Sequence, residues 1–105
     1  MEGQMESPER LRGWVEAGKQ VGKDFELERD GEYWIGGMAL QKVRDSYVAY
    51  FWEVPERLCA MDEYVREERA SFPRLEEALA FLARGTGLHV EHMTPLKGRK
   101  IFSLT

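Results

Sequence analysis

"SYVAYFWEV", residues 46–54, decides the fold. It is dense in β-branched and aromatic side chains, which fit a pleated and half-buried surface, so it reads as a strand. Strand alternation places Tyr47, Ala49 and Phe51 on one face and Val48, Tyr50 and Trp52 on the other. Both faces are apolar. Such a strand is central and covered on both sides, or it leaves one face for a partner.

The sequence before it supplies neighbours. "DFELER", residues 24–29, alternates apolar and charged side chains, and Asp30-Gly31 is a strong two-residue hairpin signal. The partner strand then runs from Glu32 to about Leu40. Gly36-Gly37 inside it marks a bulge, or a place where something packs against the backbone. Arg44-Asp45-Ser46 forms the next turn. Further upstream, Ser7-Pro8-Glu9 is a helix start, since Ser7 can cap and Pro8 loses no needed donor in the first turn. Leu11, Trp14, Val15 and Val21 follow at roughly helical spacing, and Gly22 is a natural stop. Gly13 and Gly18 each weaken this helix by about 1 kcal/mol relative to Ala, so its apolar face must dock.

After the central strand, "ERLCAMDEYVREERA", residues 56–70, supports two readings. Leu58, Met61 and Val65 share a helical face, while the second half alternates as a half-exposed strand would. A helix follows from Pro73 to Arg84, with Glu76 and Glu77 in its first turn, Arg84 in its last, and Leu75, Ala78, Leu79 and Leu82 on one face. "LHVEHM" reads as a strand, and Lys97-Gly98-Arg99 as a turn into a closing strand, Lys100 to Leu104. The expected fold is a single α+β domain over residues 1–105: an antiparallel sheet of about four to six strands, with two or three helices packed on it.

At 105 residues the chain is long enough for one core and too short for two. Its 43% hydrophobic and 32% charged content suits a folded domain rather than a disordered one. The net charge of −4 disfavours nonspecific nucleic-acid binding, because it repels phosphate backbones. The charge is uneven: residues 53–77 carry eight acidic and four basic groups, whereas residues 78–105 set Arg84, Lys97, Arg99 and Lys100 against Glu91. The opening MEGQMESPE has neither a basic segment nor an apolar run, so a signal peptide is not expected, and the lone Cys59 suits a reducing compartment. The expected location is the cytoplasm.

Catalytic and metal signatures are not found in the pattern. His89 and His92 fall on opposite faces of the expected strand, and with Cys59 they make no tetrahedral zinc set, so no metal and no cofactor is expected. No serine lies in a Gly-x-Ser-x-Gly elbow. "GTG", residues 85–87, follows a helix, whereas a phosphate loop precedes one. Lys97, Arg99 and Lys100 would give three phosphate contacts at most and read as a solvated turn.

Three stretches, "YVAYFWEV", "REERASFPRLEEALAFL" and "PLKGRKIF", give an order of elements that resembles small bacterial immunity proteins of polymorphic-toxin and contact-dependent inhibition systems. The resemblance implies a non-enzymatic cytoplasmic inhibitor that binds a cognate protein toxin, often a basic nuclease. An inhibitor of that kind gains from an acidic surface with aromatic anchors. Residues 53–77 supply candidates for partner binding: Trp52 beside them, then Glu53, Asp62, Glu63, Tyr64, Glu67 and Glu68. Two alternatives belong to other classes: a nucleic-acid-associated domain using the basic C-terminal turn, and a small enzyme with an acidic cleft.

Overall fold

The computed structural model describes residues 7–61, 66–96 and 99–103. Five strands form one sheet: β1 (Val21–Arg29), β2 (Glu32–Val43), β3 (Ser46–Pro55), β4 (Arg66–Phe72) and β5 (Thr94–Pro95). They lie in the order β4-β3-β2-β1-β5, every pair antiparallel. Helices α1 (Ser7–Glu16) and α2 (Leu75–Thr86) pack on one face, which makes this an α+β domain.

The hairpins follow the sequence closely. Asp30 and Gly31 both take positive φ, 54° and 78°, the twist that a two-residue turn between right-twisted strands requires. β2 and β3 stay in continuous register through Gly36↔Glu53 and Gly37↔Trp52, so the glycine pair makes no bulge. Close packing explains it instead. A Cβ on Gly36 would sit 2.4 Å from both the Phe25 ring and the Trp52 carbonyl, and one on Gly37 would sit 2.8 Å from the Trp52 indole nitrogen.

β3 is covered on both sides. Tyr47, Ala49 and Phe51 face the helices with Phe25, Met38 and Leu40, against Leu11 and Val15 of α1 and Leu75, Ala78 and Leu82 of α2. Leu79 packs at the margin of this cluster and is only partly buried. Val48 and Tyr50 face the other way with Ala39, under Phe102.

Four expectations change. α1 ends at Glu16 rather than near Gly22, because Gly18 at φ 89° turns the chain and releases Val21 to start β1. Residues 56–70 are neither wholly helix nor wholly strand: a 3-10 helix spans Glu56–Met61 and β4 starts at Arg66. "LHVEHM" is a loop, with Val90 and Met93 filling the helix-side core. Only Thr94 and Pro95 pair with β1, and Pro95 has no N–H with which to extend a ladder. The expected closing strand is also not one.

Residues 99–103 cross the outer face of the sheet without strand pairing. Ile101 is partly buried and its neighbour Phe102 is buried, so two adjacent side chains pack onto the sheet where strand alternation would send one outward. The side chain of Gln20 replaces the missing ladder. Its Oε1 accepts from the backbone N–H of Ile101 (2.8 Å) and of Phe102 (3.4 Å), and its Nε2 donates to Phe102 O (3.1 Å) and Gln41 Oε1 (2.9 Å). Phe102 also stacks on Tyr50 at 5.3 Å, with the Arg69 guanidinium 5.1 Å from its ring centre. The expected turn at Lys97-Gly98 and residue Leu104 lie outside the described residues.

Gln20→Ala should therefore leave buried backbone groups of Ile101 and Phe102 unpaired and cost about 1–3 kcal/mol. Urea unfolding measures the loss, and amide exchange at Ile101 should accelerate more than exchange at Phe51. Equal acceleration at both would mean that Gln20 acts on the whole fold rather than on this segment.

Candidate functional site

Strand alternation gives β1 two unlike faces. "KDFELER" sends Lys23, Phe25, Leu27 and Arg29 toward the helices and Asp24, Glu26 and Glu28 outward. Opposite the carboxylates, the outer face of β2 carries Tyr33 against Glu28 and Ile35 against Glu26. Next to these, β3 adds Trp52 and β4 adds Glu67, paired with each other across the strands. Tyr33, at 45% exposure, is the one large hydrophobic side chain standing exposed among the described residues. Its hydroxyl donates to Glu26, and that hydrogen bond, aided by the carboxylate's charge, holds the phenol above its ordinary pKa. That bond restricts the Tyr33 ring.

The residues nominated from the sequence do not share one surface. Trp52 and Glu67 lie on this outer face, where Trp52 is partly buried and Glu67 accepts from the Tyr50 hydroxyl. Glu68 points to the opposite face and pairs with Arg66 at 2.7 Å. Asp62, Glu63 and Tyr64 lie outside the described residues.

Glu53 is a correction: it is not on a solvated acidic surface but 2% exposed on the helix side of the sheet. Arg29 grips its carboxylate with both terminal nitrogens, at 3.0 and 3.3 Å, and Arg66 approaches to 3.8 Å. Each guanidinium also rests near an aromatic ring, Arg29 against Trp34 (4.8 Å) and Arg66 against Phe51 (5.0 Å). Gly36 lies opposite Glu53 in the ladder, and the Phe25 ring already occupies the place where a side chain there would begin. The group is a polar cap on the helix-side core. With its carboxylate engaged by two cations, it ties β1, β3 and β4 together.

A second polar group fastens α1 to the sheet. Glu16 accepts from Lys42 (2.7 Å) and from the Tyr47 hydroxyl, which lowers its pKa, and the same bonds raise those of Lys42 and Tyr47.

A concavity lies at the other end of β1 from the Asp30-Gly31 turn. It is a cleft of about 810 Å³ between the end of α1 and the C-terminal segment, lined by Trp14, Lys19, Gln20, Gln41, Arg99 and Lys100 among others. Sequence reading grouped Arg99 and Lys100 with a turn and missed Lys19, which is 80 positions from Arg99 and carries no local signal. His89 and His92 are exposed in the loop before β5. Among the described residues, no group of three or more His, Cys, Asp or Glu could hold a metal ion. No helix there is long and apolar enough to cross a membrane. Comparison with protein-family models, curated proteins and solved structures finds no match.

Proposed function

We propose that this chain is a non-enzymatic protein-binding domain whose outer sheet face docks a basic protein surface. Its concrete form is a cytoplasmic immunity protein that neutralises a cognate toxin, with a nuclease as the favoured type of target. One observation carries the reading: Asp24, Glu26 and Glu28 form an acidic row beside Tyr33, Ile35 and Trp52 on a face that the helices do not cover. A toxin site built for phosphate is positive, so an acidic row steers encounter, while aromatic groups supply the desolvated anchor. Compared with the sequence reading, the surface moves from residues 53–77 to the β1–β2 hairpin, and it keeps Trp52 and Glu67.

The test is binding kinetics against the product of the gene directly upstream. Reversing Glu26 and Glu28 to Lys should slow association by roughly tenfold at low salt and flatten its salt dependence. Tyr33→Ala should instead speed dissociation, as loss of an anchor does. Binding unchanged by either substitution, or no binding at all, would sink the reading.

A further inference from the structure

We propose that the cleft between α1 and the C-terminal segment binds a small planar aromatic anion. The cleft adjoins the acidic row at Asp24, which pairs with Arg99, and the inference does not depend on the docking reading.

The anionic half follows from charge. On a chain of net −4, the cleft gathers Lys19, Arg99 and Lys100. Arg99 donates to Asp24 at 2.8 Å, whereas Lys19 and Lys100 have no ion-pair partner among the described residues. Like charges set around one concavity repel one another, and an anion between them relieves that repulsion while gaining charge-assisted hydrogen bonds. The planar half follows from Trp14, whose partly buried indole packs against the helix-side core and also forms part of the cleft wall.

The floor is already built. Gln20 is buried and spends its amide on Gln41, Ile101 and Phe102, and Gln41 Nε2 donates to Gly18 O at 3.3 Å. Those amides fix the shape of the cleft, which leaves Lys19, Arg99, Lys100 and Trp14 to contact the occupant. The volume of about 810 Å³ lies within the ~300–1,000 Å³ typical of small-molecule sites. The same placement accounts for the basic residues near the end of an acidic chain: Arg99 and Lys100 complete a site that begins at Lys19.

The experiment titrates the full chain with adenosine 5′-monophosphate and with indole-3-acetate, following heat and the Trp14 indole N–H resonance. Adenosine and inorganic phosphate serve as half-ligands. The expected result is saturable binding of at least one of the two anions with a shift of the Trp14 signal. Each half of the bound anion should bind at least ~10-fold more weakly, as should the anion itself to a Lys19→Ser/Lys100→Ser variant. Preference between the two probes then separates a phosphate from a carboxylate ligand. No response to either up to about 5 mM, or equal binding by the variant, would overturn the proposal. Replacing these exposed lysines leaves the core untouched, so the variant should keep the wild-type unfolding midpoint.

Discussion

Phe51→Ala should destabilise the domain by about 3–5 kcal/mol, a large share of the ~5–15 kcal/mol that holds an ordinary domain folded. Phe51 is fully buried on β3, tilted against Phe81 at 5.7 Å, with the Arg66 guanidinium near its ring. Its most telling neighbour is Gly85, inside α2, where an added Cβ would fall 2.4 Å from the Phe51 ring. Gly85→Ala alone should therefore cost about 1–3 kcal/mol through overpacking, although alanine favours a helix by about 1 kcal/mol. In the Phe51→Ala background the same change should become stabilising. Denaturant unfolding of the four proteins in this cycle measures the coupling, and a Gly85→Ala effect of the same sign in both backgrounds would refute the contact.

Glu53→Ala should cost about 2–3 kcal/mol and leave the secondary structure in place. Removing one partner of a buried ion pair commonly costs about 3–5 kcal/mol, because the remaining charge is stranded. Here the figure is reduced, since the side chains of Arg29 and Arg66 are 38% and 41% exposed and can turn toward water. Glu53→Gln keeps the volume and an acceptor, and should recover about half of the loss. Losses below about 1 kcal/mol for Glu53→Ala would mean that the arginines contribute little through this carboxylate.

How far the fold could be read depends on where each signal lies. β1, β2 and β3 were legible because alternation, β-branched density and Asp30-Gly31 are local, and the structure keeps all three in register. α2 was legible from its apolar spacing and charged ends. "LHVEHM" and residues 100–104 have strand-like composition, but composition alone does not bring a segment to a sheet edge. β1 takes up only Thr94 and Pro95. The burial of Ile101 and Phe102 hangs on Gln20, more than 80 positions away, and an isolated glutamine just before a strand announces nothing.

The sites were legible to a lesser degree. Acidic and aromatic residues stood out as candidates for the proposed docking face, and the outward row of Asp24, Glu26 and Glu28 follows from the same alternation that defines β1. Residues 53–77 drew attention instead, because their carboxylates are more numerous. Numbers along the chain do not show which face each residue takes. Glu53 turns inward to Arg29, 24 positions away, and Glu67 and Glu68 separate to opposite sides of the sheet. Lys19 joins Arg99 and Lys100 only through the fold.

The proposed docking face is tested most directly by mapping it in a complex. The ¹⁵N-labelled domain is titrated with the unlabelled product of the gene directly upstream, and the perturbed resonances are assigned. Perturbation should centre on Glu26, Glu28, Tyr33, Ile35 and the Trp52 indole, which share the outer face, and should spare Lys19 and Lys100 at the far end of β1. Perturbation centred on α1, α2 or the basic cleft, or a spectrum unchanged by the upstream product, would contradict it.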